Sequence, residues 1–223
     1  MDIKDIMQKI DHTNLKQDAV SADIVKLCDE AKQYGFYSVI VQPSHTALAA
    51  ECLKGSAVKC GAVIGFPFGS HTTDMKVADV KAMLKAGAEE IDMVMNLGAL
   101  KEHKDGLVVK DIAAVVKTAK KRPVKVIIET CLLDEEQKIR AAKLCVLGGA
   151  AFVKTSTGFF GGGATAADVA LLHKIVEGKI AVKAAGGVRT TEDALAMIKA
   201  GASRIGTSGG VKIAEGLAHT EGY

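Results

Sequence analysis

The chain has 223 residues, 48% hydrophobic and 25% charged, a balance that fits a soluble globular protein and excludes collagen-like, coiled-coil and disordered chains. A net charge of +3, with six Phe, three Tyr and no Trp, supplies neither the basic surface nor the stacking platform of a nucleic-acid binder. No apolar run reaches the roughly 18 residues of a membrane span, so no membrane partner is expected.

The first residues, MDIKDIMQKI, lack the apolar centre of a signal peptide and read as a short N-terminal helix. A short strand follows at Ile10–Thr13. In 20–31, Val20, Ile24, Leu27, Cys28 and Ala31 fall on one helical face. A unit then recurs in which an apolar-periodic stretch closes at glycine and a β-rich run follows. It appears as AKQYGFYSVIV (31–41), LKAGAEEIDMVM (84–95), VLGGAAFVKTS (146–156) and IKAGASRIGTS (198–208). Glycine there suits the left-handed cap of a helix end. Further β-like runs are VKCGAVIGF (58–66), VKVIIET (124–130) and KIAVKAAGG (179–187). Helix starts are marked at Thr73-Asp74, at Asp134 with Gln137, and at Thr190-Thr191 before Glu192-Asp193. The basic stretch KTAKKRPVK (117–125) reads as a solvated helix C-terminus, where cations suit the dipole.

The strands are nearly all apolar, as strands covered on both faces are. Eight of them alternating with helices predict an α/β TIM (β/α)8 barrel, one domain over 1–223 with a mobile tail at 216–223. An open doubly wound sheet is the competing arrangement, but no GxGxxG follows the first strand.

A barrel carries its chemistry at the C-terminal ends of its strands. Three polar residues sit late in apolar strands: Asp92, Lys154 and Lys183. An ammonium after the uncharged run 147–153 is expensive unless paired, so the pKa of Lys154 is expected to fall. A neutral amine attacks carbonyls and forms Schiff bases. Lys183, at the matching position of the next strand, would depress that pKa further, and Asp92 could keep Lys183 charged and relay protons. Lys59 and Lys125, at strand starts, are expected to reach solvent.

Glycine-rich loops follow three strands: TSTGF (155–159), GGVRT (186–190) and GTSGG (206–210). Together with a helix N-terminus they suit a phosphate, because glycine lets backbone N–H groups approach its oxygens. The six histidines show no HxH or HExxH spacing, and no GxSxG is present, so neither metal nor cofactor is expected. Five irregularly spaced cysteines read as reduced thiols of a cytoplasmic protein.

Six segments resemble the 2-deoxy-D-ribose-5-phosphate aldolase family of class I, Schiff-base aldolases: IDHTNLK (10–16), CGAVIGFPFG (60–69), EIDMVMNLGAL (90–100), FVKTSTGF (152–159), VKAAGGVRT (182–190) and GTSGG (206–210). The resemblance implies a TIM barrel with Lys154 as Schiff-base lysine, Lys183 as its partner and Asp92 as proton relay. It implies Asp11, a supporting polar residue near the site, and Thr155 among the substrate- and phosphate-binding residues. Phosphate would lie at Gly158, Gly186, Gly187, Val188, Arg189, Gly206, Ser208 and Gly209. Tyr223 would exchange the proton at C2 of the enamine. Ile40 and Phe159 depart from the family pattern, where many relatives carry Cys and some carry Lys. The implied reaction is reversible cleavage of 2-deoxy-D-ribose 5-phosphate to glyceraldehyde 3-phosphate and acetaldehyde, without cofactor. The implied partners are small sugar phosphates and short aldehydes, and a homo-oligomer such as a dimer is compatible with them. A transaldolase-like Schiff-base aldolase is the first alternative. A non-catalytic sugar-phosphate-binding barrel is the second, but it has no need of Asp92, Lys154 and Lys183 together.

Overall fold

Strand and helix alternate throughout the computed structural model, which describes residues 3–216, so that Tyr223 and the rest of the expected tail beyond Gly216 lie outside the described residues. In chain order the elements are α1 (Ile3–Met7), β1 (Ile10–Asn14), α2 (Ser21–Tyr34), β2 (Ser38–Val41), α3 (Thr46–Cys52), β3 (Lys59–Ile64), α4 (Thr73–Lys85), β4 (Glu90–Val94) and α5 (Leu97–Lys101). There follow α6 (Asp105–Ala119), β5 (Val124–Ile127), α7 (Glu135–Leu147), β6 (Phe152–Lys154), α8 (Ala166–Val176), β7 (Ala181–Ala185), α9 (Thr191–Lys199), β8 (Arg204–Thr207) and α10 (Gly210–Ala214). Neighbouring strands pair in parallel in chain order, and β8 pairs with β1, so the sheet closes into the expected eight-stranded barrel. No helix among the described residues is long and apolar enough to cross a membrane.

Local chemistry sets the helix ends. Gly35 closes α2 in the left-handed conformation at φ 67°. Reciprocal capping boxes start α7 (Asp134 with Gln137) and α9 (Thr190 with Asp193). The cap of α4 lies one residue earlier than the sequence pattern places it. Thr72 accepts from the Met75 N–H at 3.4 Å, while Thr73, already helical, donates to the Asp111 carboxylate at 2.8 Å.

The registers sort each strand into an inward and an outward set, because successive residues face opposite sides. Asp11 pairs with Ser38, Ile40 with Gly61, Val63 with Asp92, and Asp92 with Lys125. Ile127 pairs with Lys154, Lys154 with Lys183, Lys183 with Arg204, and Asp11 with Gly206. These residues face the barrel interior. Their neighbours Val39, Ile91, Val126, Val153, Val182 and Ile205 face outward and form the main core with Ile24, Val80, Ile112, Ala142, Leu172 and Ala194 of the helices. The interior is itself divided. Leu15, Ile40 and Val63, joined by Phe66, make a separate apolar cluster on the β1–β3 side. Charged side chains occupy much of the rest, with Ile127, Ser38 and the glycines Gly61 and Gly206 among them.

The pairing corrects the expectation for Lys125. Lys59, paired with Ser38, is 45% exposed and reaches Glu89 at 2.9 Å, as a strand-start lysine does. Lys125 is fully buried. Strand stagger in a closed barrel raises the second residue of β5 level with the third of β4, so Lys125 enters the interior beside Asp92.

Candidate active site

Asp92, Lys154, Lys183 and Asp11 meet inside the barrel. One oxygen of Asp92, Oδ2, accepts from Lys154 Nζ at 2.8 Å and from Lys183 Nζ at 2.9 Å. Its other oxygen accepts from Lys125 Nζ at 2.9 Å. Asp11 Oδ2 accepts from Lys183 and lies 3.2 Å from Lys125, while its Oδ1 accepts from Ser38 at 2.6 Å and from Arg204 at 2.8 Å. Glu90 completes the group, bound to Lys125 at 2.8 Å and Arg204 at 3.2 Å. The Arg204 guanidinium stacks 3.4 Å from the Tyr37 ring. Gly206 leaves room for this packing, since a Cβ there would lie 3.0 Å from Lys183 Cε.

Lys125, Arg204 and Glu90 were not legible as site residues from the sequence. The period of two does carry one signal: Glu90 lies two residues before Asp92 and therefore shares its face. The stagger that brings Lys125 and Arg204 alongside is a property of the closed sheet.

Lys125, Lys154, Lys183 and Arg204 thus stand against Asp11, Glu90 and Asp92, one cation in excess. Within the described residues, Lys154 touches a single carboxylate, whereas each of the other three cations touches at least two. Its ammonium is the least compensated. Burial lowers the Lys154 pKa, Asp92 opposes that, and the charges of Lys183 and Lys125 add to the lowering, leaving it at about 8. Burial raises the Asp92 carboxyl, but Lys125, Lys154 and Lys183 outweigh it and hold the group well below the ordinary carboxylate range. The same balance, with Lys125, Lys183 and Arg204 as the cations, keeps Asp11 ionised. The arrangement can supply a neutral amine beside a fixed carboxylate and a second lysine, at the C-terminal end of β6.

Lys125 meets three carboxylates and holds Asp92 so that Oδ2 faces the lysine pair. Lys125→Met takes the shared cation from three carboxylates and leaves Glu90, among the described residues, with Arg204 alone at 3.2 Å, so it is expected to cost about 3–5 kcal/mol of stability. Wild-type kcat/KM should rise with pH through about 8 as Lys154 loses its proton. Lys125 lowers that pKa, so the rise should move to higher pH in the variant. Denaturant unfolding and a pH–rate profile check both; a profile that stays in place refutes the coupling.

The glycine loops lie around the same strand ends. Gly186 and Gly187 have φ of 81° and 76°, and Gly158 has 90°, conformations open to glycine. An added Cβ at Gly186 would stand 3.6 Å from Gly158 Cα, so the two loops adjoin. Val188 is buried, and its carbonyl accepts from Thr207 Oγ1 at 2.8 Å. The backbone N–H of Arg189 is bound to the Asp193 carboxylate at 2.9 Å, within the cap of α9, and its side chain is exposed. Gly209 donates to Thr207 Oγ1 at 2.9 Å, and Ser208 beside it is half-buried. Thr155 is buried; its hydroxyl donates to the Ala185 carbonyl at 3.0 Å and accepts the Ala185 N–H at 3.1 Å, stitching β6 to β7.

Residues 5–217 match the model of the DeoC/LacD family aldolases. The deoxyribose-phosphate aldolase of Geobacillus sp. (strain WCH70) is 58% identical over 219 residues, 98% of each chain. That of Thermococcus gammatolerans is 56% identical over 221 residues, 97% of this chain and 98% of the relative. The barrel superposes on a structure described as a tetrameric deoxyribose phosphate aldolase from Aeropyrum pernix with a TM-score of 0.90. That pair shares 34% identity and covers 96% of this chain and 91% of the other.

Proposed function

We propose, since this chain belongs to the DeoC/LacD family of aldolases, that it reversibly cleaves 2-deoxy-D-ribose 5-phosphate to D-glyceraldehyde 3-phosphate and acetaldehyde through a Schiff base on Lys154. The observation that carries this reading is the single carboxylate oxygen of Asp92 shared between Lys154 and Lys183 in a buried interior.

In the proposed sequence the sugar opens to its aldehyde. The Lys154 amine adds to C1, and loss of water leaves an iminium. The C2–C3 electron pair flows into the iminium nitrogen as that bond breaks. Asp92, through water and with Lys183, accepts the proton of the C3 hydroxyl. Glyceraldehyde 3-phosphate departs, leaving the acetaldehyde enamine. Protonation at C2 and hydrolysis release acetaldehyde and restore the amine. Tyr223 is the proposed acid–base group for the C2 proton. Asp11 supports Lys183 from the side away from Lys154.

The phosphate is proposed to bind at Gly158, Gly186, Gly187, Val188, Arg189, Gly206, Ser208 and Gly209, chiefly through backbone N–H groups and the N-terminal end of α9. Thr155 orders this region through Ala185. The N–H groups of Arg189 and Gly209 are committed to Asp193 and to Thr207 Oγ1, so Arg189 would offer its side chain and Gly209 its close approach rather than a donor. Inorganic phosphate is therefore expected to inhibit competitively. An added Cβ at Gly187 meets no atom of the described residues within 4 Å. Gly187→Val should raise KM for the sugar phosphate roughly tenfold or more, by blocking the anion and by straining a turn held at φ 76°. An unchanged KM in folded variant protein removes this loop from the site.

The proposed assembly is a homo-oligomer such as a dimer; the Aeropyrum pernix relative is described as tetrameric, which supports self-association without fixing the number of copies. The five cysteines are free in the structure, which supports a reducing, cytoplasmic setting. Coupled detection of glyceraldehyde 3-phosphate and acetaldehyde from deoxyribose 5-phosphate tests the reaction. Acetaldehyde released in equal amount supports it; a requirement for a longer donor refutes it in favour of transaldolase-like chemistry.

A further inference from the structure

Glu129, two residues past the end of β5, combines two costly features. Its backbone is left-handed, φ 48° and ψ 68°, in a residue that carries a side chain. Its carboxylate is buried, with the residue 1% exposed. Three donors satisfy the buried oxygens. Glu129 Oε2 accepts from the Thr157 backbone N–H at 3.1 Å and from the Thr157 hydroxyl, and Oε1 faces the Cys131 thiol at 3.7 Å. Thr157 Oγ1 in turn accepts from the Phe159 N–H at 3.2 Å. Both neighbours of Gly158 are thereby tied to one carboxylate, Thr157 directly and Phe159 through a hydroxyl. The N–H groups of 157 and 159 are occupied, and the loop is bound on its other side by Thr155 to Ala185, next to Gly186.

We propose that Glu129 is a positioning residue for the anionic end of the substrate. It fixes the turn at 157–159 so that the Gly158 backbone faces the phosphate beside Gly186 and Gly187. β5 itself ends at Ile127 and does not require the left-handed residue. The conformation serves instead to aim the carboxylate across to the loop after β6, the strand that carries Lys154. This inference rests on the phosphate reading above and assigns that site a residue which never touches the ligand.

Steady-state kinetics on 2-deoxyribose 5-phosphate and on unphosphorylated 2-deoxyribose separate the possibilities, with wild type, Glu129→Ala, Glu129→Gln and Thr157→Val. In Glu129→Ala and Thr157→Val, KM for the phosphorylated sugar should rise roughly tenfold, the equivalent of one lost hydrogen bond. Their kcat, and kcat/KM for the unphosphorylated sugar, should stay near wild type. Glu129→Gln keeps an acceptor for Thr157 and should recover most of the affinity. Thr157→Val, close to isosteric, carries the test if Glu129→Ala does not fold. An unchanged KM, or equal losses on both sugars, overturns the positioning role while leaving the phosphate site standing. A wild type indifferent to the phosphate and to inorganic phosphate removes the site itself, and this inference with it.

Discussion

Lys154→Met is expected to lose at least roughly 10⁴-fold in turnover, the scale of removing an essential member of a covalent mechanism, and at the same time to unfold at a higher temperature. The first half follows from the proposed iminium, for which no neighbouring amine is an equivalent donor. Lys183 and Lys125 each touch at least two carboxylates, whereas Lys154 meets one. The second half follows from the excess of interior cations. Removing one partner of a buried pair is destabilising when it strands the other charge. Here Asp92 keeps Lys125 at 2.9 Å and Lys183 at 2.9 Å, so nothing is stranded. The methionine fills the interior with apolar volume and leaves cations and carboxylates equal in number, for an expected gain of about 1 kcal/mol. Thermal unfolding and a single-turnover assay read the two quantities separately. A variant that is both inactive and less stable than wild type contradicts the claim that the Lys154 amine is held at an energetic cost.

Asp92→Asn should divide binding from turnover. The amide is nearly isosteric and retains an acceptor for Lys154 and Lys183, but its NH2 then faces Lys125 in place of an oxygen, and it no longer carries charge or takes up a proton. Loss of a positioned acid–base group is expected to lower turnover by about 10²–10⁴-fold. Asp92 also raises the pKa of Lys154, against the lowering by burial, Lys183 and Lys125. Without it the Lys154 pKa should fall below about 8, so the neutral amine appears at lower pH. The variant should therefore form the covalent adduct with substrate at a pH where wild type forms less of it, while releasing product far more slowly. Adduct yield against pH, measured beside turnover, checks the sign. A shift toward higher pH would mean that Asp92 does not act on Lys154 as an opposite charge.

The parts of this site differ in how far sequence alone reveals them. Asp92, Lys154 and Lys183 stand out because each breaks an apolar strand near its end, where the barrel carries chemistry, and the closed sheet brings all three together. The helix caps at Asp134 and Thr190 are equally local and form as the pattern implies. Lys125 fails for a non-local reason. A strand-start lysine reaches solvent when its strand begins level with or below its neighbours, as β3 does beside β2 and β4, and enters the interior when stagger lifts it, as at Lys125. Arg204, the first residue of β8, is carried inward the same way and is closed over by Tyr37. Thr155 looks like a ligand in a polar loop, but its hydroxyl is engaged by the Ala185 backbone. Glu129 is hidden further still, because a left-handed glutamate at the end of an apolar run has no sequence mark of its own.

The central claim is that the electron sink of the reaction is an iminium on Lys154. Borohydride reduction of the enzyme in the presence of 2-deoxyribose 5-phosphate, followed by peptide mass analysis, tests it directly. The predicted result is irreversible inactivation with one added two-carbon ethyl unit, or the reduced sugar phosphate, on Lys154 and nowhere else. Label on Lys183, or full activity after reduction with substrate present, would contradict it.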